Sequence, residues 1–160
     1  MKLKTWTCGT LAGFIATIVL TILSMSLSLL NVIPLSITEY AARFILYLDS
    51  QDLNFGRWIV GFIGNFSLGG VFGLLSAYLY KVTGREEWVI KTISIGVCCW
   101  FFQLTIVPAL SPEVAKYSTY DMAIAYFIIY LIWSYFASTI IIRYLEFPPK
   151  DNTPARDKGR

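Results

Sequence analysis

The amino-acid sequence predicts an all-α protein: a four-helix transmembrane bundle with a short interfacial helix on its outer side. Three observations predict it. Four long runs carry no charged residue, the charges collect in the segments between those runs, and lysine and arginine fall mostly on one side of the implied membrane. Hydrophobic residues make up 56% of the chain and charged residues only 14%, with a mean hydropathy of +0.62. A soluble domain is about 45–50% apolar and about 25% charged. Segregation of this kind marks a chain whose solvent is lipid.

The first run covers residues 7–30, a length of 24 residues. At about 1.5 Å per residue it reaches about 36 Å, enough to cross a hydrocarbon core of about 30 Å with some tilt. Met1-Lys2-Leu3-Lys4 resembles the start of a signal peptide. A signal peptide's apolar region is about 7–15 residues and ends at a small-residue cleavage site. This run is longer and leads into Asn31-Val32-Ile33-Pro34, so a retained helix is expected. The second span is expected at about 58–80, the third at about 92–110 with Pro108 near its end, and the fourth at about 122–142, closed by Arg143. Residues 1–146 form one transmembrane domain in this reading. Residues 147–160, with Pro148-Pro149 followed by mixed charge, form a disordered cytoplasmic tail.

Orientation follows from the basic residues. With the N-terminus inside, 10 Lys and Arg lie on the cytoplasmic side and 3 (Arg43, Arg57, Lys116) on the outer side. The acids split evenly, so only the Lys/Arg bias is informative. Both termini are therefore expected in the cytoplasm of a multi-pass cell-membrane protein. Trp6, Trp58 and Trp88 precede the first three spans, and Tyr80, Tyr117, Tyr120 and Tyr144 sit at or near span ends, where amphipathic rings prefer the headgroup region. Trp100 and Trp133 lie deeper and are expected between helices.

The outer segment 31–57 is too long for a turn. Ser36 and Glu39 have capping-box spacing, with Pro34 before them. A helix over about 37–48 places Ile37, Ala41, Phe44 and Leu48 on one face and an ion pair of Glu39 with Arg43 on another. Such a helix either lies on the membrane surface, apolar face down, or packs on the bundle itself. The short basic segment 81–91 is expected to join spans two and three as an antiparallel pair. Ser111-Pro112-Glu113 carries a second helix-start signal.

Lipid supplies no hydrophobic force between helices, so packing depends on close backbone approach. Gly9, Gly13, Thr17 and Thr21 recur every four residues in span one; Gly61, Asn65, Gly69, Gly73 and Ala77 do so in span two. These stripes are expected to face each other, with a right-handed crossing, or to face a neighbouring subunit. Asn65 and Gln103 are the most polar side chains deep in the spans and mark any polar interior site. Ser24, Ser26, Ser28, Ser134, Ser138 and Thr139 can bond back to helix carbonyls.

The spans contain no Asp, Glu, Lys, Arg or His, and the chain has no histidine at all. Intramembrane ionisable residues mark proton relays and ion pathways. Their absence argues against a proton-coupled pump and an intramembrane hydrolase, and no catalytic, cofactor or metal residue is expected. Vicinal Cys98 and Cys99 form no metal-binding or disulfide pattern. No nucleic-acid or phosphate-binding motif is present. The leading expectation is a non-enzymatic membrane protein in contact with lipid. It acts through helix–helix association, as a homo-oligomer or with a larger membrane-protein partner. A small transporter or channel for a neutral solute, using Asn65 and Gln103, is the alternative. An enzyme using the outer acids Asp49, Asp52 and Asp121 is the third.

The order of features resembles the YqhR-like small membrane proteins of Gram-positive bacteria. After the glycine-spaced first span and a proline-containing outer loop, span two ends in Tyr78, Tyr80 and Lys81. Trp88 opens span three, with Gly96 and Trp100, then Pro108 and Pro112. Tyr130 and Phe136 lie in span four, which runs out through Tyr144-Leu145-Glu146. That family has no established activity, so the resemblance implies only a bacterial cytoplasmic-membrane location.

Overall fold

The computed structural model describes residues 2–46 and 55–147. The last two residues of the expected 37–48 helix, the acids Asp49 and Asp52, and the tail from residue 148 lie outside the described residues. The described chain is an all-α bundle. Its helices are α1 (Thr5–Leu29), α2 (Ile37–Leu46), α3 (Phe55–Thr83), α4 (Trp88–Leu110), α5 (Pro112–Ala115) and α6 (Tyr120–Tyr144). Four of them, α1, α3, α4 and α6, are long and apolar enough to cross a membrane. They extend past the uncharged runs, because polar residues at an interface can continue a helix. Trp58 is thus one turn inside α3, and Trp88 is the first residue of α4.

The glycine stripes of α1 and α3 turn toward each other within one chain. A Cβ built on Gly73 would lie 2.6 Å from both Cα and N of Gly13, and one on Gly9 would lie 2.7 Å from Leu74 Cα and 2.8 Å from Gly73 O. These neighbours are backbone and cannot swing aside. Gly69 faces the Thr17 side chain, while Gly61, at the other end of the stripe, faces Thr38 O and Ala42 of α2.

On its other side α1 packs against α6, and α6 carries α4. Gly96 admits the α4–α6 contact, since a Cβ there would meet Ser134 Oγ at 2.8 Å and Tyr130 O at 3.1 Å. α3 and α4 run antiparallel and touch through side chains, Tyr80 Oη lying 3.1 Å from Trp88 O and 3.0 Å from Thr92 Oγ1 and the Phe72 and Phe102 rings 5.4 Å apart, but the closer backbone contact of α4 is with α6. The loop between them is tight, with Gly84 at φ 73°. Lys91 Nζ closes the end of α3 by donating to the carbonyls of Thr83 (3.1 Å), Gly84 (3.2 Å) and Glu86 (2.6 Å).

At the end carrying the termini, Leu3 N donates to Tyr144 O (2.8 Å) and Glu146 N donates to Leu3 O (3.1 Å). This short parallel bridge clips the entry of α1 to the exit of α6. Lys2 Nζ adds a bond to Arg143 O at 2.9 Å.

The opposite end holds α2. Ser36 N and Oγ donate to Glu39 Oε2 at 2.7 and 2.9 Å, and Glu39 N returns a bond to Ser36 Oγ at 3.3 Å, which completes the capping box. The carboxylate is thereby committed to the cap, and the expected Glu39–Arg43 pair gives way. Arg43 is buried instead, with its guanidinium 4.6 Å above the Tyr117 ring and Nη1 donating to Tyr117 Oη at 3.2 Å. Of the two placements open to α2, the structure has it packed on the bundle. Ile37, Thr38, Tyr40, Ala42 and Arg43 are all buried, whereas Ala41 and Phe44 of the expected apolar face are only half-buried. After it, Ser111 precedes the one-turn helix α5, and Thr119 Oγ1 caps α6 by accepting from Met122 N at 3.2 Å.

Because backbone surrounds the Gly73 position, Gly73→Leu should damage the fold of the single chain. Overpacking of this kind typically costs about 1–3 kcal/mol or more. Thermal unfolding of the detergent-solubilised protein should shift down for Gly73→Leu and little for Leu75→Ala, on an exposed side chain two residues away. Equal unfolding temperatures for Gly73→Leu and wild type would refute the close packing.

Candidate functional site

In lipid a backbone carbonyl without a partner is costly, because no water can replace it. α4 contains such a carbonyl. Its turn at Phe102–Ile106 is a π-helix, in which Val107 N bonds to Phe102 O. With Val107 N so engaged, the next N–H that could reach Gln103 O in the π register belongs to residue 108, and proline has none. Gln103 O is left for an outside donor. Tyr40 Oη of α2 supplies it at 2.9 Å. Burial pushes the Tyr40 phenol above its ordinary range, so it stays protonated and able to donate.

Tyr40 also stacks edge-on against Tyr126 of α6, with ring centroids 6.2 Å apart, and Tyr126 contacts Tyr130 at 6.5 Å. Tyr126 Oη donates to Leu35 O at 3.1 Å, on the strand of chain leading into α2. Three helices are thus joined through tyrosines.

Beside this junction is a cavity of about 170 Å³, between α3 and α4 and roofed by α2. Its walls include Phe44, Gly64, Leu68, Phe102 and Val107, and its two amide side chains are Asn65 and Gln103. The structure therefore brings both polar residues singled out in the sequence to one place. Both are buried, at 7% and 5% exposure. Asn65 Nδ2 donates to Thr21 Oγ1 of α1 at 2.9 Å. No protein hydrogen bond engages Asn65 Oδ1 or the Gln103 amide among the described residues. Among the described residues no charged side chain lines the cavity.

The other singled-out residues lie elsewhere. Gly9, Gly13, Gly69, Gly73 and Ala77 form the α1–α3 contact, Gly61 the α2–α3 contact, and Thr17 accepts from Trp133 Nε1 of α6 at 3.0 Å. Ser24, Ser26, Ser134 and Thr139 bond back to carbonyls of their own helix. Asp121 is exposed in the first turn of α6. Among the described residues no three of His, Cys, Asp and Glu come together. Sequence reasoning missed Tyr40, Tyr126 and the π turn. The usable signal was Pro108 within an apolar run, which announces an unpaired carbonyl upstream.

The fold places the chain in a multi-pass membrane-protein class: a bundle of four membrane-capable helices, here with a small apolar pocket that carries two amides. More specifically, the chain belongs to a family of unknown function, DUF6789, whose model matches residues 3–151. No curated protein matches it, and no solved structure does.

The Tyr40–Gln103 bond carries its own test. Tyr40→Phe leaves a buried carbonyl unpaired, at a cost of about 1–3 kcal/mol. In a Pro108→Ala background the restored N–H can take over, and the same substitution should cost less. A double-mutant cycle on thermal unfolding measures the coupling; identical costs in both backgrounds would uncouple the proline from the tyrosine.

Proposed function

We propose that the protein is a non-enzymatic membrane protein that binds a small, uncharged, amphipathic molecule in the α2-covered cavity. One observation carries this reading. Asn65 and Gln103 sit on two different helices, yet they line one otherwise apolar pocket and retain hydrogen-bonding capacity there. Buried amides are rarely left unpartnered. Apolar walls with a few convergent polar groups are the general form of a small-molecule site. A cavity of about 150 Å³ accepts a molecule the size of benzene, which sets the scale of the ligand. The apolar character of its described lining favours a neutral solute over an ion. A carrier or channel for such a solute is the transport form of the same reading.

Association with a second copy or a larger partner is the second reading. It draws support from the exposed apolar flanks of α3, such as Ile59, Ile63 and Leu75. The glycine stripes are occupied within the chain, so a partner would have to meet such a flank. We further place the protein in a bacterial cytoplasmic membrane with both termini inside. The Lys/Arg bias and the resemblance to the YqhR-like proteins support that placement.

In lipid nanodiscs, saturation-transfer NMR against a panel of uncharged solutes of about six to eight heavy atoms should reveal binders. Their signals should vanish in Ala41→Phe, which fills the cavity, and weaken several-fold in Gln103→Leu. A panel with no signal above empty nanodiscs, or a cavity holding water only, would sink the proposal. Tracer flux with any binder then separates a carrier from a receptor. For orientation, in a cysteine-free background, Ser118→Cys should react with an impermeant maleimide from outside intact cells and Glu86→Cys should not; the reverse pattern would invert the topology.

A further inference from the structure

A second concave surface lies on the other face of the bundle, between α1 and α6. It is an open groove of about 480 Å³, with Leu23 and Leu27 on one wall and Ile124, Ile128 and Ile132 on the other. Asp121 stands at its end. From Asp121 to Ile132 the groove follows α6 for about 16 Å at the helical rise. That is close to half of a hydrocarbon core of about 30 Å, the depth of one leaflet. The Ser26 hydroxyl in the groove is already bonded to Ile22 O at 2.8 Å, which leaves the floor apolar in character.

The carboxylate at the end is the discriminating feature. Asp121 is exposed, and no cation pairs with it among the described residues. Its place in the first turn of α6 suits the helix dipole. That role accounts for an acid there, and its side chain still faces outward, exposed. The level of the charge, at the mouth of a leaflet-deep apolar groove, is where a lipid headgroup would sit.

We propose that this groove holds one phospholipid of the leaflet on the α2 side, with an acyl chain along α6 and an ammonium headgroup at Asp121. The charge selects the lipid class. An ethanolamine headgroup brings a cation to the carboxylate, whereas a glycerol headgroup brings only the phosphate's negative charge. Among the described residues the groove has no basic side chain to offset the latter.

The test is native mass spectrometry of the full chain, released from vesicles of equal phosphatidylethanolamine and phosphatidylglycerol with matched acyl chains. The wild type should retain phosphatidylethanolamine several-fold over phosphatidylglycerol. Asp121→Asn, on an exposed side chain, should abolish the preference while leaving thermal unfolding nearly unchanged. Ile128→Trp, which fills the groove from an exposed position, should reduce retention of both lipids. The same lipid ratio in wild type and Asp121→Asn, or undiminished retention in Ile128→Trp, would overturn the proposal.

Discussion

The backbone contact between α1 and α3 is the constraint on which the rest of the molecule depends. Hydrocarbon chains compete for every apolar surface, so two helices stay together in lipid only where they approach more closely than lipid can. Gly9 and Gly13 against Gly69 and Gly73 provide that approach. Once α3 is held there, one broad face of α1 is used. α6 takes another, locked by Trp133 on Thr17, and α4 finds its own close contact through Gly96 on α6. The order of helices around the bundle is then settled, and α3 and α4 meet through side chains such as Tyr80 on Thr92 and Phe72 on Phe102 without a close backbone approach.

That separation creates a gap, and the polar groups in the gap determine how it is closed. A proline in α4 and the π turn before it expose one carbonyl where water is scarce. α2 answers with Tyr40, and this requires the short helix to sit inside the rim of the bundle rather than flat on a membrane surface. Its Ser36–Glu39 cap starts the helix at the right point, and Arg43 over Tyr117 ties its later turn to the chain beyond α5. The cavity is what remains beneath this wedge. It lies where three independently positioned helices meet, a place where complementary filling is hardest to achieve and ligand sites commonly form.

Much of this was legible in the sequence, for reasons that differ element by element. The four spans show themselves because lipid excludes charge over about 20 residues. The stripes show themselves because close approach demands small side chains at a fixed spacing, and the cap of α2 because Ser36 and Glu39 satisfy each other locally. Helix partners were not legible in the same way. A lipid-facing and a helix-facing apolar residue look alike, so nothing local records that α4 leans on α6 rather than on its neighbour in sequence. The Tyr40–Gln103 bond spans 63 positions and exists only after that arrangement is made. Glu39 illustrates a sharper limit: two local rules, the capping box and the ion pair with Arg43, compete for one carboxylate. The cap won, because its partners on Ser36 are held in place by the helix start itself.

The size of the cavity also bounds what a ligand there can do. A molecule of about six heavy atoms, at the ceiling of about 1.5 kcal/mol per atom, gains about 9 kcal/mol at most, and at half that efficiency about 4.5 kcal/mol. These values correspond to dissociation constants from somewhat below micromolar to about millimolar. The weaker part of that range is the more realistic, because the amides must give up any water they hold before they meet the solute. A solute held as proposed would exchange rapidly, and affinities of that order suit a solute sensed at high concentration or passed onward better than a permanently held cofactor. The tyrosine junction beside it has the opposite character: Tyr40 and Tyr126 are buried, and each donates to a backbone carbonyl, which holds the walls of the cavity in place.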